Sequence, residues 1–256
     1  MSIINRLKRE ILVSVNKSGE GHIPSAFSIL DILWVLYDQI ISFDKNNPQD
    51  ENRDRFIMSK GHGSLALYAV LAEKNIINKK ELDSFASFDS ILGGHPDHSK
   101  VSGIEASTGS LGHGFPFAVG IALGMQIKKS KKKVFVLVGD QECNEGTIWE
   151  SALLVAHHKL SNLYLIIDNN HSTDRSLSLG NIGKKFDAFG WETIEIDGHD
   201  HVDIYNAFTE TNKDIPKVII ANTIKGYGIQ EMENNPAWHH RCPTTEEMGR
   251  FLEELK

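Results

Sequence analysis

Short apolar runs alternate with longer amphipathic segments along most of the chain. Residues 134–138 and 163–167 are unbroken apolar runs rich in β-branched and aromatic side chains, a pattern typical of strands buried on both faces. A helical segment that ends near Leu160 joins them, and shorter strands are predicted over 56–58, 191–197 and 217–223. Such alternation predicts an α/β fold with a mostly parallel sheet and helices on both faces.

Apolar residues at three- and four-residue spacing predict the helices. The first covers 2–17, and Ser25 is the candidate N-cap of the second. Further helices are predicted over 64–74, 79–87, 115–126 and 201–211. A terminal helix begins at a capping box formed by Thr244 and Glu247. Residues 89–114 are predicted to be a long glycine-rich loop, and loops of that length in compact domains are usually functional. No repeat or linker interrupts the pattern, so we predict one domain over residues 1–256.

Composition narrows the class of protein. The chain has 256 residues, 40% hydrophobic and 24% charged, which is ordinary for a globular protein. Its net charge of −7 argues against a nucleic-acid partner, and no apolar stretch is long enough for a signal peptide or a membrane span. Two distant cysteines predict no disulfide framework. We therefore expect a cytoplasmic protein that binds neither nucleic acid nor membrane.

Oxygen-bearing side chains follow the two longest apolar runs. Asp140 comes after the first, and Asp168, Asn169 and Asn170 end the second. Each could have an ordinary structural role, since Asp140 could cap the next helix and asparagines favour turns. The carboxyl ends of neighbouring parallel strands, however, lie together at one edge of the sheet, where ligands bind. Carboxylate and amide oxygens suit Mg²⁺ that shares its shell with phosphates, so the pattern predicts a metal–diphosphate site.

Histidines in turns and glycine loops are the second chemical signal. Imidazoles bind phosphate, exchange protons and stabilise a developing oxyanion, and His22, His62, His95 and His239 all lie beside glycine, proline or a loop tryptophan. The segment 109–114 is a glycine turn that opens a helix, a common anion-binding arrangement. The other histidines are expected at the surface or on helices, including His157, His158, His199 and His201.

The order of these motifs resembles the amino-terminal half of transketolases. The matching stretches are SKGHGSLALYAVLAE (59–73), GGHPD (93–97), STGSLGHG (107–114), GDQECNEGTIWE (139–150) and TIKGYGIQEMENNPAWHH (223–240). Asp140 and Asn170 resemble the two ends of the thiamine-diphosphate signature, which lie about thirty residues apart. The resemblance implies a three-layer thiamine-diphosphate-binding α/β fold whose cofactors are thiamine diphosphate and Mg²⁺.

The resemblance also implies roles for individual residues. The metal ligands are expected to be Asp140, Asn170 and the backbone carbonyl of Ser172. The catalytic residues are expected to be His22, His95, His239 and Glu145. Cofactor contacts are expected from His62, Gly109, Ser110, Leu111, Gly139, Asp140, Gln141, Glu145, Asn170 and His239. Glu150 resembles a subunit-interface residue near the aminopyrimidine.

Three positions depart from the family pattern. Gln141 replaces a usual glycine and is expected to crowd the approach of the diphosphate. His113 replaces a usual glutamine, and His240 replaces a usual glycine. Both substitutions lie at positions expected to be close to the cofactor or the substrate, which suggests an altered substrate preference.

The resemblance covers only the diphosphate half of a transketolase. It therefore implies a split enzyme that transfers a two-carbon ketol unit between sugars or sugar phosphates. The partner would be a separate carboxy-terminal subunit with the pyrimidine-binding domain, in an α2β2 heterotetramer. Alternatives are half of another thiamine-diphosphate enzyme, either a 2-oxoacid dehydrogenase α-subunit or a deoxyxylulose-phosphate synthase-like chain, and a non-catalytic regulatory subunit.

Overall fold

The computed structural model describes residues 1–48, 50–175, 177–210 and 214–256. Within them, five strands form one sheet, and every neighbouring pair is parallel. The strands are β1 (Arg55–Met58), β2 (Val134–Gly139), β3 (Leu163–Asn169), β4 (Glu192–Asp197) and β5 (Lys217–Asn222). Their order across the sheet is β1-β2-β3-β5-β4, so β2, β3 and β5 are central.

Helices connect and cover the strands. They are α1 (Ile3–Ser18), α2 (Ile23–Phe27), α3 (Leu30–Val35), α4 (Ser64–Glu73), α5 (Gly114–Ile127), α6 (Gly146–His158), α7 (Ile182–Ala188), α8 (His201–Thr209) and α9 (Thr245–Glu254). Short 3₁₀ turns occur over Gly61–Gly63, Lys79–Ser84, Asp140–Asn144, Thr173–Arg175 and Pro236–Trp238, and a π-helical turn over Leu36–Ile40.

Alternate residues of the central strands belong to two different cores. Phe135 and Leu137 of β2 face one core, which is built with α1 to α4, α8 and α9. Val136 and Val138 face the other, which is built with α5, α6 and α7. Because successive side chains of a strand point to opposite faces, one apolar run supplies both layers. The three-layer α/β fold is confirmed, and the predicted loop contains no helix or strand over 89–113, since α5 already begins at Gly114.

Three helical features differ from the sequence prediction. Ser25 is not an N-cap, because α2 already begins at Ile23 with His22 as its cap residue and Pro24 in the first turn, where proline is favoured. The segment 79–87 forms only the 3₁₀ turn Lys79–Ser84. Helix α7 has no counterpart in the prediction, because it is short and mixes two lysines and an aspartate with few apolar residues.

The sheet brings the two predicted ligand clusters together. In the β2–β3 pair, Gly139 lies opposite Asp168, so Asp140 and Asn170 both leave the sheet at the same edge. The capping box of Thr244 and Glu247 is present at the start of α9. Among the helices of the described residues, none is both long and apolar enough to cross a membrane.

Candidate active site

Asp140, Asn170 and the turn after β3 form one hydrogen-bonded unit. Both Asp140 and Asn170 are buried. Thr173 donates its backbone N–H to Asp140 Oδ2 over 3.2 Å, and Ser172 donates its own to Asn170 Oδ1 over 3.1 Å. Burial raises the pKa of Asp140, while the N–H groups of Thr173 and Gln141 favour its charged form. Asp140 therefore lies against the turn that carries Asn170 and Ser172, and backbone N–H groups of this turn hold one oxygen of each of the two side chains.

Gln141 points its side chain toward this turn. Its Nε2 lies 3.3 Å from the carbonyl oxygen of Ser172 and donates to it. The carbonyl is the oxygen predicted to bind the metal. The glutamine side chain thus contacts a predicted metal ligand directly, in addition to lying where the diphosphate is expected to approach.

A buried ion pair supports the floor of the site. Lys60 donates to Asp168 Oδ2, and the same oxygen accepts from Ser28 and from Asn170 Nδ2, each at 2.9 Å. Thr223 occupies the other carboxylate oxygen. The sequence places Asp168 in the ligand cluster, but its oxygens are fully engaged inside the protein. It acts as a support that orients Asn170.

Asn169, the other member of that cluster, also takes no part in the turn. It extends β3 and donates from its side chain to Asn222 Oδ1 of the neighbouring strand at 2.7 Å. Of the three predicted residues at the end of β3, only Asn170 is turned toward Asp140.

Glu142 ties the glycine loop to the end of β2. Its Oε1 accepts from Ser59 Oγ at 2.6 Å and from Gly112 N at 2.8 Å, while its Oε2 accepts from Gly139 N at 2.8 Å. The side chain is buried, and burial raises its pKa although the three bonds favour the charged form. Gly112 has φ +77°, and a Cβ there would lie 2.7 Å from Glu145, so this turn needs glycine.

The predicted histidines converge on the same pocket. The ring of His22 lies 5.3 Å, centre to centre, from the rings of His62 and His239 and 4.5 Å from that of His240. His95 packs against Gly61 and Gly109, where a Cβ would meet its ring at 3.0 and 3.4 Å. The fourfold set expected from the sequence is thus present, and His240 adds a fifth imidazole. His240 also pairs with Glu20 at 3.2 Å.

Crowding keeps these imidazoles neutral. Burial, with help from His240 and His239, lowers the pKa of His22 to about 4. Burial and the neighbouring Lys60 lower the pKa of His62 to about 2. Burial and Lys225 also lower the pKa of His239. At neutral pH each of the three rings offers one donor and one acceptor rather than a positive charge.

Two groups at the site carry no signal of function in the sequence. Lys225 reaches Ser172 Oγ at 3.1 Å and His239 Nδ1 at 3.3 Å, and so joins the metal turn to the histidines. Ser25 is fully buried beside Lys60, which donates to its carbonyl at 3.1 Å, yet its Oγ has no hydrogen-bond partner. A buried hydroxyl without a partner is unfavourable, so a ligand bound at this point would satisfy it.

Three further predicted positions, Glu145, Glu150 and His113, also lie at the surface. Glu145 is exposed but covers Gly112 at the start of α6, while Glu150 lies on the outer surface of that helix. His113 is exposed and contacts the carbonyl of Leu111 at 3.0 Å. The prediction of a surface position for His199 is wrong: its side chain is 6% exposed and lies 3.1 Å from Asp31.

Comparison with known proteins identifies the family. The family model described as "Transketolase, thiamine diphosphate binding domain" matches residues 2–251. The chain belongs to this transketolase family. Its cofactors are therefore thiamine diphosphate and Mg²⁺.

Several relatives are transketolase subunits of similar length. The chain is 40% identical over 259 residues to an apulose-4-phosphate transketolase subunit of Actinobacillus succinogenes, covering 98% of this chain and 93% of the relative. It is 36% identical over 253 residues to a 6-deoxy-6-sulfo-D-fructose transketolase subunit of a Clostridium species, covering 96% and 92%.

A solved structure of a longer transketolase shows the same fold. The Campylobacter jejuni transketolase superposes with a TM-score of 0.92 at 29% identity, covering all of this chain but 43% of its own. This chain thus spans less than half the length of that transketolase.

The residues present fit the transketolase cofactors. The turn gathers one carboxylate, one amide oxygen and one backbone carbonyl, which are hard ligands of the kind Mg²⁺ prefers. Such a set contains a single acidic side chain. Accordingly, the described residues contain no group of three or more His, Cys, Asp or Glu side chains placed to hold a metal. The buried Ser25 hydroxyl, which has no hydrogen-bond partner, is a donor that a bound diphosphate would satisfy.

Proposed function

We propose that this chain is the diphosphate-binding half of a two-chain transketolase that acts on ketose and aldose phosphates. The observation that carries the proposal is the convergence of the Asp140–Asn170–Ser172 turn and the histidine pocket beside one glycine loop. Relatives named as subunits, with matching length, support a separate partner chain. The name of one of them, an apulose-4-phosphate transketolase subunit, supports phosphorylated sugars as substrates.

Asp140, Asn170 and the Ser172 carbonyl would hold Mg²⁺, and His62, Gly139 and the glycine loop at Gly109, Ser110 and Leu111 would line the diphosphate. When bound, thiamine diphosphate supplies the electron sink that lets the carbon–carbon bond beside a ketose carbonyl break. The protein positions the sugar and moves its protons.

Neutral imidazoles suit the polyol part of the sugar. The neutral rings of His22 and His239 would donate to and accept from sugar hydroxyls. His22, His95 and His239 would exchange protons with the carbonyl and hydroxyl oxygens. Because a neutral ring does not attract an anion strongly, we assign recognition of the substrate phosphate mainly to the partner chain. Glu145, exposed at the edge of the glycine loop, would face the cofactor's aminopyrimidine at the boundary between the two chains.

Helices α5 and α6 are the proposed docking face for the partner. Both begin beside the glycine loop, and they pack against each other. Phe117 of α5 is 50% exposed, and Leu153 and Leu154 of α6 are 53% and 44% exposed. Large apolar side chains exposed in this way are typical of interaction surfaces. The occupant would be the chain that carries the rest of the transketolase, in an α2β2 assembly.

Asp140→Ala tests the assignment. The chain would be co-expressed with the product of a neighbouring gene that carries a pyrimidine-domain pattern. Thiamine diphosphate with Mg²⁺ would then be titrated by calorimetry, and ketol transfer between sugar phosphates followed. We expect binding by the wild-type complex and at least about a hundredfold weaker binding by Asp140→Ala, because outright loss of a metal ligand exceeds the tenfold to hundredfold effect of losing its support.

Retained cofactor affinity in Asp140→Ala would contradict the metal assignment. A wild-type complex that binds no cofactor would instead favour a regulatory subunit. Glu246→Gln, on the exposed surface of α9 and away from the proposed docking face, serves as the acidic control for cofactor affinity.

A further inference from the structure

A buried carboxylate, Asp31, binds two histidines outside the histidine pocket. Asp31 of α3 is 4% exposed and accepts from two histidines: His199 Nδ1 at 3.1 Å and His201 Nε2 at 2.9 Å. Burial disfavours its charged form, but the bonds from both histidines lower the pKa of Asp31 below its usual value. Neither histidine belongs to the pocket around His22.

His199 links this carboxylate to the segment 224–228. The backbone N–H of Ile224 donates to His199 Nε2 over 2.9 Å. That nitrogen therefore carries no proton, and Nδ1 bears the proton that is donated to Asp31. The ring also stacks on Tyr227 with centres 3.7 Å apart and planes 21° apart. Asp31 thus fixes both the tautomer and the orientation of a ring that holds the segment at two points.

The segment 224–228 borders a cavity on the side where His199 contacts it. Thr223, Ile224, Tyr227 and His199 line a cavity of about 650 Å³, so the segment is not covered there by packed apolar side chains. Other contacts also hold the segment: Gly226 donates its N–H to the Pro24 carbonyl at 3.0 Å, and Lys8 donates to the Tyr227 carbonyl at 2.7 Å and lies over the Tyr227 ring.

This segment carries Lys225 into the active site. Lys225 contacts Ser172 Oγ at 3.1 Å and His239 Nδ1 at 3.3 Å. Its backbone carbonyl also accepts from Asn234 N at 2.8 Å, which ties the segment to the chain that leads to His239. A small displacement of Ile224 would therefore move Lys225 relative to both the metal turn and the histidine pocket.

We propose that His199, held by Asp31, is a positioning residue that sets the place of Lys225 between the metal turn and the histidine pocket. The inference rests on the proposed function for its catalytic meaning, but its structural part is tested without cofactor. His199 touches neither the metal turn nor the rings around His22, so it acts through the backbone of Ile224.

Two substitutions separate the bonds of His199. In His199→Asn the shorter amide keeps a group near the former Nδ1, within reach of Asp31, and the acceptor for Ile224 is lost. In His199→Gln the longer amide places an oxygen near the former Nε2, and the acceptor is kept. His201→Asn is the matched control, because it removes a histidine from the same carboxylate without touching the segment 224–228.

Hydrogen exchange of the full chain, followed by mass spectrometry over peptides that contain 224–228, is the first readout. We expect His199→Asn to exchange about fivefold faster or more at this segment, as loss of one hydrogen bond predicts. His199→Gln and His201→Asn should stay close to the wild type. Should His199→Asn fail to fold, His199→Phe, which keeps a ring over Tyr227 and loses both bonds, is compared with His199→Gln: faster exchange in His199→Phe alone supports the proposal.

The second readout is the affinity of the chain with its partner for thiamine diphosphate and Mg²⁺, by calorimetry. An affinity about fivefold weaker or more in His199→Asn, with wild-type affinity in His199→Gln, supports the proposal. Equal exchange in all variants, or equal acceleration in His201→Asn, overturns the positioning role. Absence of cofactor binding by the wild-type complex overturns the proposed function instead. That outcome is measured by calorimetry, whereas the positioning role is tested by hydrogen exchange.

Discussion

Glutamine at position 141 donates to an oxygen that the proposed metal site needs. Its amide lies 3.3 Å from the Ser172 carbonyl, which is expected to bind Mg²⁺. The side chain is exposed and held by this single bond in the described structure. A metal bound at this carbonyl would share it with Gln141 or displace the amide, and we expect Gln141 to weaken binding by the worth of one exposed hydrogen bond.

Gln141→Ala should tighten the binding of Mg²⁺ with thiamine diphosphate by about three- to tenfold, because one such bond is worth about 0.5–1.5 kcal/mol. Calorimetry on the complex with the partner chain measures the change. Gln39→Ala is the control, since Gln39 is also exposed and lies in the π-helical turn Leu36–Ile40, outside the site and the proposed docking face. Weaker binding in Gln141→Ala would show that the amide assists the cofactor.

At the residue scale, the sequence is informative wherever a residue type and a local motif coincide. Asp140 and Asn170 follow apolar strands, and the histidines of the pocket stand in turns, so both sets could be predicted. Glu142, Ser25 and Lys225 could not. Their importance comes from partners far along the chain, such as Gly112 for Glu142 and Ser172 for Lys225.

At the scale of elements, the glycine loop depends on one buried side chain. Glu142 collects donors from the end of β1, from the loop itself and from the end of β2. A loop with no helix or strand of its own is thereby fixed to two strands. Helix α5 follows the loop and begins at Gly114. A Cβ added to Gly114 would lie only 2.6 Å from Ser59, so even a methyl group would push the start of the helix away from Ser59.

Glu142→Gln should lower the free energy of unfolding by about 2 kcal/mol, because one buried donor loses its acceptor and meets an amide N–H instead. Urea denaturation of the full chain measures this loss. Glu150→Gln, an exposed glutamate on α6, should change stability by less than about 0.5 kcal/mol. Equal stability of the two variants would contradict the role given to Glu142.

The element boundaries show where pattern reasoning stops. The strands agree with prediction within a few residues, because short unbroken apolar runs rich in β-branched residues are typical of buried strands. The predicted start of α2 is wrong, since proline in a first turn competes with serine as a helix signal. Helix α7 escapes prediction because its burial rests mainly on Ile182 and Phe186, too few positions for a recognisable period.

At the scale of the whole molecule, the histidine pocket couples stability to pH. His22 and His62 have folded pKa values of about 4 and about 2, below the ordinary value of 6.5. The unfolded chain therefore takes up protons first as the pH falls through 6.5. The stabilising effect of the neutral rings is fully present above that pH and is lost progressively toward pH 4.

The isolated chain should therefore melt at lower temperature as the pH falls from 7 to 4.5, and His62→Asn should reduce the slope by up to about 1.4 kcal/mol per pH unit. Calorimetric melting at several pH values provides the test. His201→Asn should act in the opposite direction, because the bond to Asp31 raises the pKa of His201 and stabilises the fold at low pH. An unchanged slope in His62→Asn would contradict the burial of that ring.

The two edges of the sheet restrict how a larger enzyme can be built. One edge strand, β1, has only four residues, and the other, β4, carries exposed Glu195 and Asp197. Short edges and charged edges resist the addition of a further strand. The chain is thereby protected against strand-to-strand polymerisation before its partner binds. We therefore expect the catalytic assembly to form through faces other than the sheet edges, so that its boundary can be redesigned without altering a single strand of the sheet.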